Sequence, residues 1–295
     1  MKKKFQDPLI PRKKKITDII QFDKKGNPLP SVVEISNSGM CNRTCSFCPR
    51  SAPDYVHKNE FVSTKLIEKI SLELSIYKYS GIFLFSGFVE PLLDKNIYNS
   101  IVIIRSHLPN ARIEMVTNGD VLNEERTLKL FKSTLTTLLI SIYDGKAEAE
   151  NMEKMLRKIG LNDEQYKVRH RYLPESENFG ITLSNRSGTM ENAEYKIPSL
   201  KEPLKKNCYY PHYTFFMDYT GEVLVCSHDW GKKLVVGNLN TDSFINIWLG
   251  KKFKFAREKL LKADRNFSPC NKCDVDGEHM GKNHAEIWEK KIFNI

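Results

Sequence analysis

The chain has 295 residues, a hydrophobic fraction of 40% and unremarkable Gly and Pro content, which suits one large domain or a domain with a smaller module and excludes a disordered or fibrous chain. No apolar run reaches the roughly 18 residues of a membrane span. The basic start MKKKFQDPLIPRKKK has no apolar stretch of signal-peptide length behind it, so a cytoplasmic protein without membrane attachment is expected. The net charge of +10 suits an anionic partner, but its Lys and Arg residues are dispersed and not interleaved with aromatics, so nucleic acid is not the expected partner.

In chain order, residues 1–30 read as a polar, basic extension, with KKITDIIQF its one ordered segment and Lys13, Lys14 and Lys15 on a solvated arm. SVVEISN (31–37) reads as a strand that runs straight into CNRTCSFC. Ser63 is placed to cap a helix over LIEKISLELSIYK, whose apolar residues recur at helical spacing. GIFLFSG (81–87) is a short apolar run of the kind buried in parallel sheets. A helix over 96–107, a strand over 112–119, a helix over 123–133, a strand over 136–145, a helix over 146–159 and a strand over 166–173 follow, with ITLSNR (181–186) a candidate sixth strand. Strand and helix alternate about every 30 residues, which predicts an α/β fold, a partial (β/α)6 TIM-like barrel. The motifs CNRTCSFC, SGFVEP, TNG and SIYDG each follow a strand end, where such folds place their ligands. Beyond residue 205 the texture changes. YTFFMDYTGEVLVCSHD reads as a hairpin turning at Thr220-Gly221, NIWLGKKFKFAREKLLKA (246–263) as helix, and a Cys-x-x-Cys and a polar tail close the chain. The expected division is a basic extension over 1–30, the partial barrel over 31–200, and a small α+β iron–sulfur module with a tail over 201–295.

Seven cysteines, an odd number grouped in tight sets, suit metal sites better than disulfides. Cys41, Cys45 and Cys48 cannot complete a tetrahedral zinc site, and His57 lies off any compact zinc spacing. They can hold three irons of a [4Fe–4S] cube and leave the fourth iron open to a small molecule. Cys208, Cys226, Cys270 and Cys273 can complete either a zinc site or a fully ligated cluster.

The Cys-x3-Cys-x2-Cys spacing, with the three motifs after it, resembles the radical S-adenosylmethionine (SAM) superfamily over roughly 31–195. The resemblance implies that SAM chelates the open iron and is cleaved to a 5′-deoxyadenosyl radical. It implies that Phe47 lies near adenine and that Gly87 and Glu90 belong to the motif meeting the methionine amino group. Phe88 and Val89 depart from the small residues usual there. Asn118 and Ser141 match positions near the ribose and carboxylate. The later cysteines resemble a SPASM domain lacking the ligands of a second auxiliary cluster, since His279 and Asn283 stand at the matching positions. That layout is the "twitch" form of enzymes like 2-deoxy-scyllo-inosamine dehydrogenase. It implies one auxiliary [4Fe–4S] cluster as an electron acceptor and an oxidoreductase whose small-molecule substrate, a sugar, cyclitol or nucleotide-linked sugar, loses hydrogen from a carbinol carbon. Flavodoxin or ferredoxin is the expected reductant. Alternation along YKVRHRYL sends Arg169 and Arg171 to one face and His170 to the other, so the two guanidiniums are candidate ligands for the substrate. Asn185 and Arg186 are further substrate candidates. His228, two residues from Cys226, is the candidate proton acceptor, with Arg171 a second catalytic candidate; Tyr209, His212, Asp218 and Asp229 stand near the same cysteines. Peptide modification and RNA modification are the alternatives. The short extension before the barrel argues against the first, because leader-binding domains are larger, and the absence of an added RNA-binding pattern argues against the second.

Overall fold

The computed structural model describes residues 9–51, 55–180, 184–190 and 200–294. Helix α1 (Ile10–Thr17) comes first, then β1 (Val32–Ser36), α2 (Thr64–Ser75), β2 (Ile82–Phe85), α3 (Ile97–His107), β3 (Arg112–Thr117), α4 (Glu124–Lys132), β4 (Thr137–Ile142), α5 (Lys146–Lys158) and β5 (Tyr166–His170). The C-terminal part adds α6 (Tyr210–Tyr213), β6 (Thr214–Asp218), β7 (Glu222–Leu224), β8 (Val235–Asn238), α7 (Phe244–Trp248), α8 (Lys251–Leu261) and α9 (Lys282–Phe293). All eight strands form one sheet in the order β5-β4-β3-β2-β1-β6-β7-β8. Strands β1 to β5 pair in parallel, β6 pairs in parallel with β1, and β6, β7 and β8 are antiparallel. This is an unclosed, barrel-like parallel α/β fold with a small C-terminal module built onto its first strand.

Strands β1, β2, β4 and β6 are buried along their whole length, which is why they read as near-continuous apolar runs. Val33, Ile35, Phe83, Phe85, Ile113, Met115, Leu138, Ile140 and Ile142 face the helices and form the main core with Leu66, Ile67, Ile70 and Leu74 of α2. The alternate residues face inward, where Val32, Ile82 and Leu84 meet Tyr213 and, from α1, Ile16. Ser63 caps α2 by accepting from the Leu66 N–H, as expected, and Asn123 caps α4 by accepting from the Arg126 N–H.

Three expectations are revised. The ordered part of the extension starts earlier than KKITDIIQF, at IPRKKKIT, where Pro11 sits in the first helical turn that has no use for its missing N–H. Arg12 pins this helix to the barrel through two hydrogen bonds to the buried Glu114 carboxylate, at 2.6 and 3.2 Å. The candidate sixth strand falls partly outside the described residues (181–183), while Ser184 and Asn185 are not strand and 186–189 form a turn. The sixth parallel strand is β6, on the other side of β1. The helix expected over 246–263 is two helices, because Gly250 is extended and starts α8.

Candidate active site

Strand β1 hands the chain to the loop carrying Cys41, Cys45 and Cys48. The loop is fixed by its own backbone, with Cys48 N–H donating to the Cys45 carbonyl at 2.9 Å, and by three side chains. Arg43 bridges to Asp120 after β3 and to Asp144 after β4, at 2.5 and 2.6 Å. Buried Arg50 donates to the carbonyls of Phe88 (2.8 Å) and Gly39 (3.1 Å) and contacts His57 Nδ1 at 3.0 Å, so His57 supports the loop. The Cys41 sulfur accepts from the Arg43 N–H at 3.5 Å and from Asn118 Nδ2 at 3.9 Å. Asn118 also donates to Asn42 Oδ1 at 2.8 Å, so it stands against the cysteine loop.

Glu90 is 1% exposed and its side chain does not reach the cavity described below. Its carboxylate accepts from Thr117 Oγ1 (2.7 Å), Asn118 N–H (2.7 Å) and Leu92 N–H (3.1 Å), tying the end of β2 to the end of β3. Through these bonds Glu90 holds the backbone on which Asn118 is carried.

Cys208, Cys226, Cys270 and Cys273 line one small cavity with Tyr210, Val225, Leu260 and Arg265. Arg265 ties the surrounding segments together by donating to the carbonyls of Lys206, Asn207, Val275 and Asp276. Burial, joined by the other sulfurs, pushes the Cys226 thiol up; burial takes Cys208 to about 11 and Cys45 to about 11. Metal binding at either place must displace those protons. A repeated local geometry prepares for it: Cys41, Cys48, Cys208, Cys226 and Cys273 each receive a hydrogen bond from the backbone N–H two residues on, the environment of a metal-bound thiolate. Among the described residues, the set of three acidic or sulfur ligands whose donor atoms lie within 4.8 Å of one another is Asp120, Asp144 and Glu148, so no three cysteine sulfurs are that close. A zinc tetrahedron draws its sulfurs to about 3.8 Å. Neither set of cysteines is gathered to that spacing.

A cavity of about 530 Å³ runs between the two cysteine sites. Phe47, Gly87, Ser141 and Tyr143 line it at the first site, with Phe47 stacked on Tyr143 at 5.5 Å. Arg186, Ser227 and His228 line it at the second. Arg169 of β5 and Arg171, the residue after the strand, face it while exposed His170 meets Tyr172, so the alternation the sequence predicts holds. The Arg171 guanidinium donates to the Gly180 carbonyl.

The segment 185–190 forms a clamp. Asn185 is 1% exposed, does not line the cavity, and donates from Nδ2 to the Lys272 carbonyl at 2.6 Å while its N–H donates to Asp274 at 3.0 Å. Its expected contact with substrate is replaced by a positioning role, holding the Cys270–Cys273 loop. The clamp turns through left-handed Arg186 and Ser187 (φ 48° and 54°) and carries the Arg186 side chain to within 3.5 Å of His228 Nδ1. Burial, and then this guanidinium, take the His228 imidazole down to about 3 and keep it neutral. Asp218 and Asp229 are turn holders: Asp218 accepts from Thr220 and Glu222 N–H groups, Asp229 from those of Lys233 and Leu234. His212 is a residue of α6 and is fully buried.

Among the cavity residues the sequence reading did not place there are Ile10 and Lys13 from α1, Glu34 from β1, Tyr210 and Tyr213 from α6, and Trp230. Glu34 carried a readable signal, a lone charge inside the apolar strand SVVEIS.

An open-iron cysteine loop at a strand end, a fully ligated cysteine site and one shared cavity define a radical SAM enzyme with an auxiliary cluster. Residues 35–175 match the radical SAM superfamily and residues 208–274 the SPASM iron–sulfur cluster-binding domain, so the chain is a radical SAM enzyme carrying both. The chain is 28% identical over 254 residues to the S-adenosyl-L-methionine-dependent 2-deoxy-scyllo-inosamine dehydrogenase of Niallia circulans, an alignment covering 85% of this chain and 96% of that one. Its fold is similar to the crystal structure of BtrN in complex with AdoMet and 2-DOIA, with a TM-score of 0.72 and 25% identity over 88% of this chain and 98% of that one. The fold alone is also shared with Streptococcus suis SuiB bound to precursor peptide SuiA, with a TM-score of 0.59 and 14% identity over 91% of this chain and 79% of that one.

Proposed function

We propose that this enzyme is a SAM-dependent dehydrogenase that oxidises one carbinol carbon of a small hydroxylated ring, a cyclitol or a sugar. The observation that carries the reading is the single cavity of about 530 Å³ lined at one end by Phe47, Gly87 and Ser141 and at the other by Arg186, Ser227 and His228. That volume lies within the roughly 300–1,000 Å³ of small-molecule sites, and SAM must share it with the substrate. A ligand of ring size fits the remainder better than a peptide.

Cys41, Cys45 and Cys48 would hold the cluster that binds SAM, and Cys208, Cys226, Cys270 and Cys273 the auxiliary one. When bound, the first cluster with SAM supplies a 5′-deoxyadenosyl radical and the second an acceptor for one electron. Phe47 would offer a ring face to adenine, Gly87 and Ser141 would offer polar groups to the rest of SAM, and Asn118 would stand beside Cys41. Arg169 and Arg186 present guanidinium groups to substrate hydroxyls from the cavity wall. Arg171 shapes the wall and keeps its protons, as guanidiniums do, so it is not a base. Neutral His228 lends a hydrogen bond beside Cys226. A flavodoxin or ferredoxin supplies the reducing electron, and the cytoplasm is the compartment that keeps seven thiols reduced.

The test is to incubate the reduced, cluster-loaded enzyme with SAM and 2-deoxy-scyllo-inosamine deuterated at its carbinol carbons. Deuterium in 5′-deoxyadenosine together with a ketone product is the expected result. Deuterium transfer from peptide Cα or Cβ positions, with no turnover of cyclitols or sugars, would move the enzyme to the peptide-modifying class.

A further inference from the structure

We propose that Glu34 is the catalytic base that removes the hydroxyl proton from the carbinol being oxidised, an inference that rests on the dehydrogenase reading above. Converting a secondary alcohol to a ketone removes one hydrogen atom from carbon, one proton from oxygen and one electron. The hydrogen atom leaves with the 5′-deoxyadenosyl radical, making the new C–H bond of 5′-deoxyadenosine. The O–H bond then breaks with its proton going to a Glu34 oxygen, the carbon–oxygen double bond forms, and the electron passes to an iron–sulfur cluster as one-electron acceptor.

Glu34 is placed for this step. It lies on the cavity face of β1, with Leu84 of β2 and Phe216 of β6 as its neighbours in the sheet. Its carboxylate accepts from Ser86 Oγ at 2.8 Å and from the Ser227 hydroxyl. Ser86 precedes Gly87 in the motif at the SAM end, and Ser227 follows Cys226 at the auxiliary end. The two hydroxyls thus hold one carboxylate midway between the two halves of the site. Lys13 faces it from α1, and Tyr210 and Tyr213 face it from α6. Burial raises the carboxyl above its usual range, toward the pH at which it works as a base.

The other carboxylates of the cavity are committed, its phenols and cations hold their protons, and His279 lines it as an exposed side chain. Asp276 is paired with Lys206 at 2.5 Å, and Asp274 accepts from the Asn185 N–H at 3.0 Å. Burial pushes the Tyr143, Tyr210 and Tyr213 hydroxyls up, and Lys13, Arg169, Arg171 and Arg186 are cations. His228 Nδ1 already faces the Arg186 guanidinium at 3.5 Å.

The test compares wild type, Glu34→Gln and Glu34→Asp as cluster-loaded enzymes, with carbinol-deuterated 2-deoxy-scyllo-inosamine as probe. Calorimetric binding of the probe is measured without reductant, so that affinity is read apart from turnover. Glu34→Gln should bind the probe within about threefold of wild type and still move deuterium into 5′-deoxyadenosine. Its ketone yield per 5′-deoxyadenosine should fall on the order of 100-fold or more, the low end of general base effects, and Glu34→Asp should restore part of that ratio. Equal losses of binding and deuterium transfer in Glu34→Gln, with the ratio unchanged, would make Glu34 an anchor and overturn the proposal. If Glu34→Gln proves insoluble, an unchanged ratio in a folded Glu34→Ala, which has no carboxylate, would overturn it equally. Failure of wild type to move deuterium from any cyclitol or sugar removes the dehydrogenase reading itself, and the proposal with it.

Discussion

Gly277 separates the auxiliary site from the rest of the molecule in one atom. Its φ is +78°, and a Cβ there would stand 2.6 Å from the Cys208 sulfur, 2.9 Å from its Cβ and 3.0 Å from its Cα. A left-handed backbone costs an L-residue about 1–2 kcal/mol, and overpacking adds about 1–3 kcal/mol, so Gly277→Ala should cost about 2–5 kcal/mol. The geometric effect is sharper than the energetic one. Ordinary contact begins at 3.4 Å, so the sulfur must retreat by nearly an ångström, whereas metal–ligand distances tolerate about 0.2 Å. Gly277→Ala should therefore lose the auxiliary cluster, with iron falling from about eight to about four per chain, four per cube, while strong reductant still drives SAM cleavage. Gly160→Ala is the control: its φ is +80° and nothing lies within 4 Å, so it carries the strain without the clash. Equal iron content in the two variants, both near eight, would refute the argument that the turn at Gly277 shapes the cluster site.

Two further outcomes are expected. Replacing Cys41, Cys45 and Cys48 together by Ala should leave about four irons, those of the auxiliary cube, and abolish 5′-deoxyadenosine formation; iron near eight in that variant would contradict the assignment, as would one zinc per chain in the native protein. For stability against pH, the sign follows from the raised folded-state carboxyl of Glu34. A raised carboxyl contributes stability that is fully present below the unfolded value of about 4.3 and lost as pH rises through the folded value. Denaturation midpoints measured from pH 5 to 8 should show wild type falling relative to Glu34→Gln as pH rises and then running parallel to it, with Lys13, Tyr210 and Tyr213 the charged or titratable groups that face Glu34. A gap that is constant across the range, or that moves the other way, would mean that the carboxyl is not raised by burial.

The parallel strands and their helices were legible because each carries a periodic apolar pattern bounded by caps or turns, as Ser63 does for α2. The alternation of Arg169 and Arg171 was legible for the same reason. What sequence could not give was the partner of a side chain. Asn185 and Arg186 are adjacent in an NRSG segment, yet the left-handed turn sends one into the Lys272–Asp274 loop and the other into the cavity. Glu90 keeps the family motif but spends its carboxylate on Thr117, Asn118 and Leu92. Helix α1 was hidden because its polarity, three consecutive lysines among eight residues, matches a solvated arm; Arg12 finds its carboxylate 102 residues away on β3.

Strand β1 is where the two halves of the chemistry meet. It delivers the chain to Cys41, pairs on one side with β2, whose end carries Gly87, and on the other with β6, whose hairpin partner β7 leads to Cys226. The lateral separation of the two lobes is thus set by backbone pairing: β2 to β7 is three strand intervals, or about 14 Å at 4.7–4.9 Å each. Backbone ladders are stiffer than an interface between two separately folded domains, whose relative motion is the default expectation. A reaction that needs hydrogen abstraction at one lobe and electron acceptance at the other gains from that rigidity. A residue on the inner face of β1 lies between the two, one strand interval from β2 and two from β7, and Glu34 is the charged side chain of β1 that lines the cavity there.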